Sequence, residues 1–270
     1  MSRISKTIAS RQAAGRKVLV PYIVAGDPEP ALTVPLMHAL VANGADIIEL
    51  GMPFSDPSSD GAIIQLGAER ALRAGTTLQG VFAIVKQFRE TDQDTPVVLM
   101  GYLNPIEIMG YEAFASAAAV AGVDGLLIVD LPANESEEFF AAVRPHGIDT
   151  IFLVAPTTSE GRLASICSNT SGYLYYVSLK GVTGAAILDK EDIRAKIEHL
   201  RTLTELPIVV GFGIKSPESA REMAAISDGV IVGSALVDRI SYLQAGKAWT
   251  QAQLAETVAL IGEMRQSIDA

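Results

Sequence analysis

Eight short apolar runs punctuate the chain: Val18–Val24, Ile47–Leu50, Val97–Met100, Leu126–Val129, Ile151–Val154, Tyr173–Val177, Ile208–Val210 and Val230–Val232. They are rich in Val, Ile and Leu and show little polar alternation. Strands buried on both faces have that pattern, and such strands belong to parallel sheets. Between them lie stretches with apolar residues at helical spacing: Ala31–Asn43, Gln65–Arg89, Tyr111–Ala121, Ser136–Val143, Glu160–Cys167, Glu191–Leu203 and Pro217–Ile226. A leading helix is predicted over Ile4–Ala14, and two more over Ser234–Leu243 and Gln251–Gln266. Strict alternation of eight strands with helices predicts an α/β fold, a closed (β/α)8 TIM barrel with extra helices, in preference to an open doubly wound sheet. The length of 270 residues suits one barrel domain over 1–270.

Polar residues at the joints form weak echoes. Gly44-Ala45-Asp46, Gly122-Val123-Asp124-Gly125 and Ser227-Asp228-Gly229 each precede a strand. They read as ordinary helix-to-strand turns.

One charge breaks the apolar pattern. Glu49 lies inside a run that should be buried, and a buried carboxylate must be paired or used. The chain then turns through Gly51, Pro53 and Pro57 into a loop carrying Asp56 and Asp60. In a barrel the site lies at the C-terminal ends of the strands. Glu49 and Asp60 are therefore expected to face one pocket and to divide proton transfers between them. The plainer alternative is a structural ion pair and a solvated loop Asp. The loop after the sixth strand and the ends of the seventh and eighth are rich in glycine. Barrels commonly hold phosphate there, against backbone N–H groups at a helix start. Gly184, Gly213, Gly233 and Ser234 are the expected phosphate cradle. The segment from Ser178 to about Asp189, with hinges at Gly181 and Gly184, is expected to close over the site as a lid.

Composition narrows the partners. The net charge is −10 and no Lys/Arg cluster relieves it, so nucleic-acid binding is not expected. No apolar run has the length of a membrane span, and the polar N-terminus lacks the apolar core of a signal peptide. Cys167 is the one cysteine, so no internal disulfide is possible, and a reducing cytoplasm is the expected location. His38, His146 and His199 lie outside metal-ligand spacing, and no metal site is expected.

The motifs Pro21-Tyr22-Ile23-Val24-Ala25-Gly26-Asp27-Pro28, Glu49-Leu50-Gly51-Met52-Pro53-Phe54-Ser55-Asp56-Pro57, Asp60-Gly61, Gly101-Tyr102-Leu103-Asn104-Pro105, Gly181-Val182-Thr183-Gly184 and Gly211-Phe212-Gly213-Ile214 occur in this order. With them the chain resembles the tryptophan synthase alpha subunit family over essentially its full length. The resemblance implies a (β/α)8 barrel lyase that cleaves indole-3-glycerol phosphate to indole and glyceraldehyde 3-phosphate. It implies no cofactor in this chain. It also implies a beta subunit that carries pyridoxal phosphate and receives the indole for L-tryptophan synthesis in an alpha-beta-beta-alpha heterotetramer.

By the same resemblance Glu49 and Asp60 are the catalytic acids. Tyr22, Met100, Leu127, Tyr175, Thr183 and Phe212 line the substrate pocket, and Gly184, Gly213, Gly233 and Ser234 hold the phosphate. Two loops depart from the common family pattern. Ser58-Ser59-Asp60-Gly61-Ala62 stands where an apolar residue, Ala and then Asp-Gly-Pro are commoner. Leu179-Lys180 stands where many members have Arg and a small residue. The partner contact is expected around Asp56 and Asn104–Ile108. Another phosphate-sugar barrel enzyme, or a binding subunit without turnover, would share part of these features.

Overall fold

The structure, a computed structural model, describes residues 1–177, 190–211 and 213–270. Among the described residues nine strands form one all-parallel sheet: β1 Val18–Val24, β2 Ile48–Gly51, β3 Val97–Gly101, β4 Gly125–Ile128, β5 Asp149–Thr150, β6 Leu153–Val154, β7 Leu174–Val177, β8 Ile208–Gly211 and β9 Gly229–Val232. Their order is β5-β4-β3-β2-β1-β9-β8-β7-β6. The two ends of that row, β5 and β6, are separated in sequence by only Ile151 and Phe152. β5 pairs with β4, and β6 pairs with β7. The Ile151 N–H donates to the Leu126 carbonyl at 2.9 Å, and the Tyr175 N–H donates to the Phe152 carbonyl at 3.1 Å. Residues 149–154 are thus one barrel strand in two halves, each bonded to a different neighbour, and the ring closes through it. Staggered, tilted barrel strands meet their two neighbours at different heights. The expectation of eight barrel strands holds, with the fifth split.

The helices are α1 Arg3–Ala13, α2 Pro30–Ala42, α3 Ala62–Arg73, α4 Leu78–Arg89, α5 Leu103–Met109, α6 Tyr111–Ala121, α7 Glu137–Val143, α8 Glu160–Asn169, α9 Lys190–Arg201, α10 Pro217–Ala224, α11 Ser234–Ile240 and α12 Gln251–Asp269. Two of them correct the sequence reading. The single helical stretch expected over Gln65–Arg89 is two helices. Gly75, at φ +83°, ends α3, and Thr77 starts α4 by accepting the Gly80 N–H at 3.2 Å. The apolar period runs across the break and hid it. α5 is not among the helices that the sequence reading predicts. Pro105 sits in the first turn of that helix, where its missing N–H costs nothing. Only Ile106 of α5 is buried, so no apolar stripe announces the helix.

Side chains alternate along each strand. Leu19, Ile23, Ile48, Leu50, Val97, Leu99, Leu126, Leu174, Ile208 and Val230 pack outward against the helices. Val18, Val20, Ile47, Val98, Leu127, Ile151, Tyr173, Tyr175, Val209 and Ile231 fill the inside of the ring. Ile4 and Ile8 of α1 belong to that inner cluster and are buried. α1 therefore plugs the N-terminal mouth and leaves the C-terminal mouth for chemistry.

The three echoes share a physical role at the plugged end. The Asp46 carboxylate accepts the Leu19 N–H at 2.8 Å, Asp124 accepts the Val97 N–H at 2.8 Å, and Asp228 accepts the Ile208 N–H at 2.9 Å. Each also pairs with arginine: Asp46 with Arg11 and Arg265, Asp124 with Arg3 and Arg89, Asp228 with Arg201. Each aspartate thus ties the start of a neighbouring strand to a helix. That is a job for the stability face of a barrel.

Candidate active site

Glu49 points inward from β2. Glu49 pairs in register with Tyr22 on one side and Val98 on the other. When the pairings are followed round the ring, with the stagger of about one residue per strand typical of such barrels, Glu49 shares one inward layer with Leu127, Tyr175 and Ile231. The layer beneath holds Val20, Val98, Ile151 and Val209, and the one below that holds Ile47, Gly125, Tyr173 and Gly229. Above Glu49 the inward positions include Tyr22 and Met100, then Gly51, Val129 and Gly233.

The carboxyl of Glu49 is buried, and its Oε1 has no hydrogen-bond partner among the described residues. Burial, with a smaller contribution from the nearby Asp60 charge, raises its pKa to about 8. At neutral pH it is a protonated acid.

Asp60 stands in the loop between β2 and α3. That loop is short of regular structure but well tied. Ser58 N–H donates to the Asp56 carbonyl at 2.8 Å, Asp60 N–H to the Pro57 carbonyl at 3.1 Å, and the Gln65 side chain to the Asp60 carbonyl at 2.8 Å. Burial raises the Asp60 pKa to about 6, and a hydrogen bond from Tyr102 opposes the rise. At neutral pH Asp60 is mostly a carboxylate. The two acids share one space and differ in protonation, with Glu49 neutral and Asp60 charged. The Asp60 charge acts on Glu49, and both charges act on Tyr22 and Tyr175, so the four side chains lie near one another.

Two inward glycines make room for the rings. A Cβ on Gly51 would overlap the Tyr22 hydroxyl, and a Cβ on Gly211 would overlap the Tyr175 hydroxyl. Each tyrosine therefore lies flat across the neighbouring strand. Both are buried, and burial holds both phenols well above their ordinary pKa, with the Glu49 and Asp60 charges adding to it.

Tyr102 is a site residue that sequence reasoning quoted only as part of a motif. It precedes α5 and stacks on Phe54, with ring centroids 5.3 Å apart and planes at 29°. Its hydroxyl accepts the Ser59 N–H at 3.0 Å and donates to the Asp60 carboxylate. Burial, then the Asp60 charge, pushes its pKa up to about 12. Two aromatic residues and one phenol thus hold the Asp60 loop against the end of β3. No periodicity marks such a residue, because its role depends on two loops meeting in space.

At the mouth, Asp27 is buried and receives Arg70 of α3 through two hydrogen bonds of 2.6 and 2.8 Å. That pair anchors the loop after β1 to α3. Leu127, expected in the pocket, is buried in the Glu49 layer, and Met100 is half-buried one step higher. A cavity of about 800 Å³ opens beside the acids rather than over them. It is lined by Val129, Leu153 and Val177 at the barrel end and by Asp130, Pro132 and Arg162 further out.

The phosphate candidates fall partly in view. Gly233 precedes α11 and lies beside Tyr22, and its carbonyl accepts the Leu236 and Val237 N–H groups. Ser234 opens that helix. Gly213 has φ +77°, a conformation that favours glycine. Thr183, Gly184 and Phe212, and the lid expected over Ser178–Asp189, lie outside the described residues. Among the described residues no cluster of His, Cys, Asp and Glu could hold a metal ion, and no helix is long and apolar enough to cross a membrane.

Comparison with known proteins places this geometry in context. The family profile described as tryptophan synthase alpha chain matches residues 8–269. A tryptophan synthase alpha chain from Thioalkalivibrio sulfidiphilus (strain HL-EbGR7) is 56% identical over 269 residues, covering all of both chains. One from Marinobacter nauticus (strain ATCC 700491 / DSM 11845 / VT8) is 54% identical, covering 100% of this chain and 98% of the relative. Among solved structures, tryptophan synthase subunit alpha from Legionella pneumophila str. Paris superposes with a TM-score of 0.91 at 46% identity, covering 100% of this chain and 99% of the other.

Proposed function

The chain belongs to the tryptophan synthase alpha chain family, and from that premise we propose how its residues divide the work. It is a lyase that cleaves indole-3-glycerol phosphate to indole and glyceraldehyde 3-phosphate. The reaction is a retro-aldol cleavage. The indole ring must gain a proton at C3 before it can leave. Positive charge then builds at the ring nitrogen, whose proton must be shared or given up. The glycerol hydroxyl beside the breaking bond must lose its proton as the carbonyl forms.

One observation carries the assignment: two neighbouring carboxyl groups at the C-terminal end of the second strand with their pKa values raised to different extents, Glu49 to about 8 and Asp60 to about 6. Groups held apart in that way take opposite roles. Glu49, raised to about 8, donates its proton to C3 and then, as the carboxylate that results, takes the proton of the glycerol hydroxyl. The acid is thereby restored within one turnover. Asp60, raised only to about 6, accepts the ring N–H and offsets the cation. Tyr22, Met100, Leu127 and Tyr175 are the walls for the indole, with Thr183 and Phe212 completing them. Gly213, Gly233 and Ser234, with Gly184, hold the phosphate through backbone N–H groups. Fixing both ends of the substrate lets two carboxyl groups suffice.

The tyrosine rings give this reading a steric test. Gly51→Ala should push the Tyr22 ring into the indole space, and Gly211→Ala should do the same to Tyr175. The expected result is a rise in KM for substrate of about tenfold or more, at little cost to folding. An unchanged KM would remove the two tyrosines from the pocket wall. For the phosphate end, Gly213→Val would place a side chain where φ is +77° and where phosphate oxygens are to sit. It should weaken binding of glyceraldehyde 3-phosphate and leave indole binding nearly unchanged. Equal losses for both ligands would mean a distorted barrel instead.

The family name implies a beta chain as partner. The indole product would pass to it, pyridoxal phosphate would sit on it, and the assembly would be alpha-beta-beta-alpha in a cytoplasmic setting. Two features support a docking face at the site's mouth. Ile108 of α5 is 80% exposed, and Asp56 is exposed on the Asp60 loop. All described elements pack round one ring of strands, which supports a single domain over 1–270. Incubation with indole-3-glycerol phosphate, alone and with a beta chain, should release indole in both cases and faster in the second. No indole under either condition would overturn the reading.

A further inference from the structure

Tyr22 is held at both ends and from behind. At its foot, a Cβ on Gly233 would stand 3.7 Å from the Tyr22 Cβ and Cδ1 atoms, so the ring leaves β1 beside a phosphate candidate. At its tip, a Cβ on Gly51 would overlap the hydroxyl and stand 2.7 Å from Cζ, so the phenol rests on the backbone of β2. Val24, Ala71 and Val237 share one buried cluster with it, and Ile64 and Met100 pack against that cluster. A ring packed in this way does not retreat from a ligand. The place of its tip is equally defined. Glu49 and Gly51 are two residues apart on one strand and face the same way, so the Tyr22 hydroxyl lies one step above the Glu49 side chain along β2. The Asp60 loop leaves that same strand end. The Asp60 charge, and then the Glu49 charge, add to the burial that raises the Tyr22 phenol, so the tip is near both acids. Tyr22, Met100, Leu153 and Gly211 make up the inward layer directly above that of Glu49.

We propose that the Tyr22 hydroxyl, seated on Gly51, is the wall that faces C2 of the indole ring and is thereby a specificity-determining residue: the site takes indoles with hydrogen at C2 and excludes those substituted there. The inference rests on the roles given above to Glu49 and Asp60. Glu49 delivers a proton to C3, which requires approach to a face of the ring, so the ring lies on the Glu49 layer. Asp60 meets the ring N–H, which lies in the plane of the ring. The layer above Glu49 then meets the ring at its edge. One ring atom lies between C3 and the nitrogen, and it is C2. The Tyr22 tip, one step above the first acid and beside the second, is the group against that edge. Positions on the benzo ring such as C5 lie on the opposite edge and do not meet it. A tyrosine whose tip needs a glycine opposite it is a rigid stop, and its oxygen takes the room that a methyl group at C2 would need.

A chain that breaks this carbon–carbon bond also forms it, so the test runs the reaction backward. The parent, Tyr22→Phe and Tyr22→Leu are each given glyceraldehyde 3-phosphate with 2-methylindole or with 5-methylindole, and kcat/KM is measured for both. The two ligands carry the same added methyl group and differ only in where it stands. In the parent, 2-methylindole should be poorer than 5-methylindole by about 10–200-fold, the range that one such group decides in a fitted pocket. Tyr22→Leu shortens the wall and should move that ratio toward 2-methylindole by about tenfold or more. Tyr22→Phe removes the oxygen alone and should move it in the same direction by less. The intrinsic reactivity of each indole cancels, because the ratio is compared between variants. Tyr22→Phe differs by one atom and decides the matter if Tyr22→Leu folds poorly. A ratio unmoved in the variants that fold, or equal gains for both indoles, overturns the proposal. Indole release from indole-3-glycerol phosphate by the parent is measured alongside. Its absence overturns the reading of the site, whereas its presence with an unmoved ratio overturns the C2 wall alone.

Discussion

Glu49→Gln should lower the rate of indole release by about 10²–10⁴-fold, the loss expected when a general acid–base is removed, while the barrel stays folded. The amide matches the acid in shape, so the Tyr22, Tyr175 and Leu127 surroundings need not move. It cannot give a proton to C3 or take one from the hydroxyl. Substrate should still bind, since neither the phosphate end nor the apolar walls are touched. Near-normal turnover in this variant, with or without a beta chain, would end the assignment.

The same substitution should change stability in a direction fixed by linkage. Glu49 titrates near 8 in the folded chain and near its ordinary 4.5 when unfolded. Between those values the folded state holds the extra proton. Folding stability therefore falls as pH rises from about 4.5 through about 8, at up to about 1.4 kcal/mol per pH unit from this one group. Glu49→Gln removes that slope. The variant should match the parent near pH 5 and exceed it by a few kcal/mol above pH 8. Urea midpoints at pH 5 and pH 9 measure the difference. A parallel shift at both values would place the charge of Glu49 in contact with water and remove the basis for its raised pKa. The acid that makes the chemistry possible is in this sense held against the preference of the fold.

Much of this was legible in the residues because the relevant physics is local. Buried parallel strands announce themselves as Val/Ile/Leu runs, and all eight barrel strands lie within a residue or two of where the pattern puts them, apart from the split in the fifth. Glu49 was legible for the opposite reason, as the one charge in such a run. Tyr102 was not legible as a functional residue. Tyr102 matters because two loops, after β2 and after β3, meet at Ser59 and Asp60. That meeting comes from the closure of the ring, which no local pattern encodes. The same holds for the Asp46, Asp124 and Asp228 clamps. Their recurrence was visible, but the strand-start N–H groups they accept come from neighbours about 20–27 residues away.

Asp60→Asn should cost about 10²–10³-fold in kcat, the scale of losing one well-placed charge partner in the transition state, with KM little changed. Asparagine can still accept the ring N–H but supplies no negative charge to offset the cation. The pH profile separates this role from a structural one. In the parent, cleavage should fall below about pH 6 as Asp60 gains a proton, and above about pH 8 as Glu49 loses one. In Asp60→Asn the acid limb should vanish and the alkaline limb should move down, because the Asp60 charge that helped keep Glu49 protonated is gone. Tyr102→Phe gives the intermediate case. Its hydroxyl donates to the Asp60 carboxylate and so favours the charged form. Without it the acid limb should move up by about one unit, and the rate at pH 7 should drop about twofold. A rate for Asp60→Asn equal to that of the parent would remove Asp60 from the ring-nitrogen role. A Tyr102→Phe profile superposable on the parent's would leave Tyr102 as a packing residue of the loop.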